Sequence, residues 1–388
     1  MEKGYQKTIY ACFTGYIVQA IVNNFVPLLF LTFQKQYGIP LSQITLLITL
    51  NFLLQLTVDL LSVKFVDRIG YRASMLIAHG CAAAGFVLLT ILPEVLPPFS
   101  GLLIGVIVYA VGGGLLEVLV SPIVEACPTK NKEQVMSLLH SFYCWGHILV
   151  VLLSTLYFNT IGIAAWRFLP MLLAILPALN AVSFSICPIE SLEGDKDPAS
   201  YRSIFRMKGF FVFLILMTAA GAAEQAIAQW ASYFAEIGLS LPNKTVGDIF
   251  GTCLFALGMA VSRTMYGILG DKIDLKKTIA VFSVFLLAAY LLTSLSPLPR
   301  LSLVGIACGG FFVGIMWPGI YSLAGKKFTK GGTKMFGMLA LAGDVGCTLG
   351  PTLVGLISDD IRIGLGVSAI FPALIFLGIL LSSKKNAE

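Results

Sequence analysis

Charge is scarce in this sequence. Asp, Glu, Lys and Arg together make up 12% of it, while 57% is hydrophobic. A soluble domain carries about a quarter of its residues charged, so a soluble globular fold is excluded. Histidine is scarcer still, with three in 388 residues. His140 and His147 are seven apart and have no cysteine at a suitable spacing, so no metal site is expected. The eight cysteines lie almost entirely inside apolar segments and read as small packing residues, neither a disulfide frame nor a metal site. Nucleotide-binding loops, metal clusters and nucleophile motifs are missing, so neither an enzyme nor a cofactor is expected. No cleavable signal is expected either, because the first apolar run is too long and reads as a retained helix. The net charge of +6 does not point to nucleic acid, since the basic residues sit in short loops.

Long apolar runs are plentiful, and mean hydropathy is +0.89. The pattern predicts an all-α membrane protein with twelve transmembrane helices, at about 8–33, 42–66, 72–92, 101–126, 133–158, 167–187, 207–236, 245–270, 276–296, 300–325, 333–357 and 362–383. The longest polar stretch, Pro188–Lys208, divides them. The expected organisation is a six-helix bundle at 1–187, a cytoplasmic linker at 188–208 and a second six-helix bundle at 209–388. Gly (38) and Pro (17) suit helices that pack closely and bend in lipid. With the N-terminus inside, only Lys35, Arg167, Lys244, Arg300 and Arg362 fall in external positions. That asymmetry puts both termini in the cytoplasm and the protein in the plasma membrane.

Within the fourth run, Gly112 to Pro128 carries Glu117 near mid-membrane and Glu125 near the end. A carboxylate at that depth costs about 3 kcal/mol on insertion scales. Glu117, Ser121 and Glu125 recur every four residues and share one helix face. They mark either a proton or substrate site on a polar pathway, or structural carboxylates paired with a neighbouring helix.

The halves repeat. Asp67-Arg68-Ile69-Gly70-Tyr71-Arg72 follows the second helix, and Asp271-Lys272 follows the eighth. Gly113-Gly114 and Pro122 match Gly309-Gly310 and Pro318 at one offset, while Gly146 matches Gly346 at another. Several matches in one helix order argue for parallel repeats about an axis along the membrane normal.

Twelve helices in two sixes, with a basic Asp-Arg-x-Gly stretch after helix two, resemble the major facilitator superfamily over essentially the whole chain. At finer grain, three stretches resemble its fucose–galactose–glucose proton symporter branch. They are Leu115-Leu116-Glu117 with Ser121-Pro122, Ser137 to Gly146, and Met316-Trp317-Pro318 to Ala324. The resemblance implies alternating access by two pseudo-symmetric bundles, with proton coupling through Glu117. It also implies a second carboxylate on helix one, where this chain has Asn23-Asn24. An uncoupled sugar facilitator is therefore a further alternative.

Other polar residues inside apolar runs complete the candidates. Gln19, Asn23 and Asn24 on helix one, and Gln225 and Gln229 on helix seven, offer amides that both donate and accept to hydroxyls. His140, Tyr143 and His147 form a stripe on helix five. Trp230, Trp317 and Tyr321 offer rings that stack on the apolar face of a sugar. Each of these also has a structural reading, as interhelical hydrogen bonding or packing. Glu224 and Asp344 join Glu117 as proton-coupling candidates, Glu224 with an ion pair as its alternative. Asp59 and Arg263 occupy matching places in the halves and are expected to serve structure. Asp67, Arg68, Arg72, Asp271 and Lys272 are candidates for the cytoplasmic gate. The expected function is transport of a small polar solute, a sugar or polyol, with protons and the bilayer as the other partners and a monomer as the working unit. A proton-driven exporter of lipophilic metabolites is the competing class. An organic-anion carrier is disfavoured because Arg263 is the lone basic residue well inside a helix.

Overall fold

A computed structural model describes residues 5–128, 132–190, 201–241, 244–269, 272–328, 332–357 and 360–384. Among them there is helix and no strand. Twelve helices are long and apolar enough to cross a membrane. They are α1 (Tyr5–Tyr37), α2 (Leu41–Ser62), α3 (Arg68–Val95), α4 (Pro98–Ala126), α5 (Leu138–Thr160) and α6 (Phe168–Ile186), then α7 (Phe210–Gly238), α8 (Lys244–Ile268), α9 (Leu275–Leu295), α10 (Pro299–Lys327), α11 (Lys334–Ile357) and α12 (Ile361–Ser382). The chain divides into two compact units, Met1–Glu193 and Gly194–Glu388.

In the first unit α4 packs along α2 and α3, α1 lies against α4 and α5, and α6 lies against α3 and α1. A buried polar link ties three of these helices. His79 of α3 is hydrogen-bonded through Nδ1 to the Met75 carbonyl. Its Nε2 meets Asn180 Nδ2 of α6 at 2.8 Å, and Asn180 also donates to the Ala11 carbonyl of α1. In the second unit α11 packs on α7, α10 on α8 and α9, and α12 on α7 and α9. Large aliphatic side chains such as Leu60, Leu156, Leu179, Ile268 and Leu295 point out of their units, as hydrocarbon solvent allows.

Gly146 and Gly346 show why these helices sit so close. A methyl group on Gly146 would come within 2.9 Å of Ile17 Cα in α1, and one on Gly346 would collide with the Thr218 carbonyl in α7. Without a hydrophobic drive between helices in lipid, such backbone approach supplies dispersion contact over the whole interface.

Several helices depart from the continuous runs predicted by hydropathy. The helical stretch from Leu41 to Val95 is two helices, α2 and α3, divided within the expected junction by Gly70, which leaves helical geometry at φ 83° and ψ 158°. A positive φ suits glycine because it has no Cβ. The matching place in the second unit holds Asp274 at φ −73°, which caps α9 by accepting from the Lys277 N–H at 3.2 Å. That hydrogen bond and the neighbouring lysine hold the Asp274 carboxyl below the usual carboxylate range. Its contribution is present at neutral pH and is lost as pH falls through the depressed value. In α10 the helix breaks at Ile315, because Pro318 has no N–H to give the Gly314 carbonyl. Arg263 Nε of α8 meets that carbonyl instead, at 3.4 Å. Bulged π turns occupy Phe234–Gly238 in α7 and Asp248–Cys253 in α8.

Candidate functional site

In the first unit the polar residues of four helices converge. Asn23 and Asn24 are buried near the end of the first straight part of α1. Both Nδ2 groups lie 3.4 Å from the Tyr143 hydroxyl of α5. Asn24 also donates to the Ala20 carbonyl at 2.9 Å. Asn23 Oδ1 accepts from two α2 side chains, Gln55 Nε2 at 2.7 Å and Asn51 Nδ2 at 3.4 Å. Neither Asn51 nor Gln55 was singled out by the sequence reasoning, although 51, 55 and 59 are polar positions four apart in an apolar run. One turn before Asn23, Gln19 is buried with its carbonyl oxygen unbonded.

Glu117 of α4 is half-buried, and its carboxylate lies within 4.8 Å of that of Asp59 in α2, which is buried. Ser121, one turn along the same face of α4, shares a 2.8 Å hydrogen bond with the Tyr16 hydroxyl of α1. The expected stripe of α5 is graded by depth. His140 is exposed and lies 5.5 Å ring to ring from Tyr16. Tyr143 is half-buried, and His147 is fully buried with Nε2 unbonded.

In the second unit Glu224 of α7 is buried and held by Arg263 Nη2 of α8 at 2.9 Å. The ion pair is one of the two readings of Glu224 offered by the sequence. It also gives Arg263 a partner on α7. Gln225 and Gln229 form a chain along the same helix, Gln229 donating to Gln225 Oε1 at 3.2 Å. Trp230 is completely buried and donates its indole N–H to the Pro351 carbonyl of α11 at 2.9 Å. Trp317 and Tyr321 stack with centroids 6.3 Å apart, and Tyr321 stacks in turn on Phe336 at 5.6 Å. The Tyr321 hydroxyl donates to the Phe336 carbonyl. The outer edge of the Trp317 ring lies against Gly343, where a methyl group would strike it. Asp344, the next residue, is buried.

A charged cluster that the sequence reasoning missed lies where α7 and α8 bulge. Asp248 is fully buried and accepts from Ser232 and, at 3.0 Å, from Lys244. Lys244 also reaches Glu236 at 3.3 Å. The spacing of Lys244 and Asp248, four apart, was its only trace in the sequence.

Of the gate candidates, Arg72 donates to the carbonyls of Phe184, Ser185 and Cys187 at 2.8–2.9 Å and so caps the end of α6. Arg68 and Lys272 are exposed. The Asp67 side chain and Asp271 lie outside the described residues.

Residues 11–253 and 234–387 match the family model of the Major Facilitator Superfamily. No curated protein sequence matches the chain. Among solved structures, the E. coli fucose:proton symporter is similar at 16% identity and a TM-score of 0.67, covering 98% of this chain and 100% of its own. A D-xylose-proton symporter is similar at 12% identity and a TM-score of 0.78, covering 98% of both chains. A bacterial homologue of the human lysosomal transporter Spinster, inward-facing and occupied, is similar at 13% identity and a TM-score of 0.77, covering 99% of this chain and 98% of its own.

Proposed function

Since the chain belongs to the major facilitator superfamily, a transporter family and not an enzyme family, we propose that it carries a sugar or polyol by alternating access, coupled to protons through Glu117. The approach of the Glu117 and Asp59 carboxylates to within 4.8 Å carries this proposal. Two like charges so close between packed helices repel, and one bound proton relieves the repulsion. Helix one lacks the aspartate of the fucose symporter branch, and Asp59 on α2 takes the part of second carboxylate. We assign the proton to this pair and not to Glu224, whose charge is balanced by Arg263. Asp344 is the second unit's carboxylate candidate.

The amides supply the solute chemistry. Asn23, Asn24 and Gln19 with Tyr143 offer donors and acceptors in the first unit, and Gln225 and Gln229 do so in the second. Trp317 and Tyr321 offer a stacked aromatic face. Two similar solved structures carry sugar–proton symporter names, which supports the same class. We place the protein in the plasma membrane as a monomer with both termini cytoplasmic. The test is uptake of labelled L-fucose, D-xylose, D-galactose and D-glucose into proteoliposomes with an alkaline interior. At least one is expected to accumulate above its external concentration and to be released by a protonophore. Transport of a lipophilic cation, and of none of the sugars, would replace this function with the exporter.

A further inference from the structure

Helix α2 offered no substrate candidate from sequence, yet it carries a buried polar arrangement at Asn51 and Gln55. Asn51 and Gln55 are 5% and 2% exposed, and each spends its amide N–H on Asn23 Oδ1. Their own carbonyl oxygens, Oδ1 and Oε1, have no hydrogen-bond partner among the described residues. Gln19 Oε1 on α1, one turn from Asn23, is in the same condition. Buried carbonyls without donors are costly, and a structure assembled for stability alone pairs them or replaces them with apolar groups. The Gln55 carboxamide is also held in place. A methyl group on Gly113 of α4 would fall 3.3 Å from its carbonyl carbon, so the glycine makes the room the amide occupies. Gly113 lies one turn before Glu117, and Gln55 one turn before Asp59. The open carbonyls of α2 therefore lie one and two turns from Asp59, and the Gln55 amide rests against α4 one turn from Glu117.

We propose that Asn51 and Gln55 determine substrate specificity, their open carbonyl oxygens accepting hydroxyl hydrogens from the transported solute. This rests on the assignment of the protein as a sugar or polyol carrier and extends it to two α2 residues that assignment did not use. A hydroxyl fits because it donates to a carbonyl and still accepts from another donor.

The experiment is thermal melting of the purified full chain against L-fucose, D-xylose, D-galactose, D-glucose, xylitol and tetraethylammonium, for wild type, Asn51→Leu and Gln55→Met. Wild type is expected to gain several degrees with at least one polyhydroxylated compound. Both variants are expected to melt close to the wild-type temperature without ligand, because each loses an unpaired buried carbonyl together with one of the two donors to Asn23 Oδ1. They are expected to bind that compound at least tenfold more weakly. A deoxyfluoro analogue of it, which cannot donate at the replaced hydroxyl, should lose affinity for wild type and lose nothing further with Gln55→Met. Undiminished binding by both variants would overturn this inference and leave the sugar assignment standing. A fall in the ligand-free melting temperature of the variants would also overturn it, by showing the amides to be scaffold. A wild type that responds to tetraethylammonium alone, or to nothing, would overturn both.

Discussion

Neutralising Glu224 is expected to unbalance the second unit, and the size of the effect follows from the geometry. Glu224 is almost wholly buried, Arg263 keeps 18% of its side-chain surface, and 2.9 Å separates them. At an effective dielectric of 20 their attraction is about 6 kcal/mol, an upper bound because Arg263 is partly wet. Removing one member leaves the other charge uncompensated, which costs about 3–5 kcal/mol. For a unit the size of Gly194–Glu388 each kcal/mol moves the melting temperature by about 2–4 °C, so Glu224→Gln should melt at least about 6 °C lower. Arg263→Met should lose at least as much, since it also releases the Gly314 carbonyl at the α10 break. The double variant should recover most of the loss, because apolar replacement of a buried pair is often neutral. The assay is thermal melting of the four proteins in one detergent. Wild-type melting in either single variant, or effects that simply add in the double one, would refute the pairing. Loss of pH-driven uptake in a Glu224→Gln protein of unchanged stability would instead move the proton to Glu224.

Two further outcomes follow from packing and charge. Gly346→Val should cost about 3 kcal/mol or prevent folding, because its side chain meets the Thr218 carbonyl, while Gly337→Ala, with open space around it, should melt like wild type. Asp248→Asn should lose about 1–3 kcal/mol, measured by melting against wild type, because Lys244 keeps only Glu236, at 3.3 Å, as its charged partner.

The twelve spans were legible because the bilayer imposes a one-dimensional demand, about twenty apolar residues at a time, that any window can detect. The family was legible for a related reason: glycines and prolines that fix helix approach, such as Gly146 and Gly346, recur at constant offsets. What hydropathy could not show was how polar side chains pair once helices meet. Arg263 was expected to serve structure and Glu224 had an ion pair as one reading, but that they pair with each other was not legible, because it depends on which helices meet. Glu117 was visible as a lone carboxylate in an apolar helix, whereas Asp59 looked structural until α2 was seen against α4. Asn51 and Gln55 were detectable in principle, since they obey the same four-residue spacing that drew attention to Glu117. The α7–α8 charge cluster was hidden because Lys244 read as a loop charge that orients the chain.

Proton movement itself gives the most direct measurement. Lightly buffered proteoliposomes or cells containing wild type should show external alkalinisation when a transported sugar is added, and Glu117→Gln should abolish that signal while keeping sugar counterflow. Alkalinisation of wild-type size in Glu117→Gln would contradict the assignment of the coupled proton to the α2–α4 carboxylates.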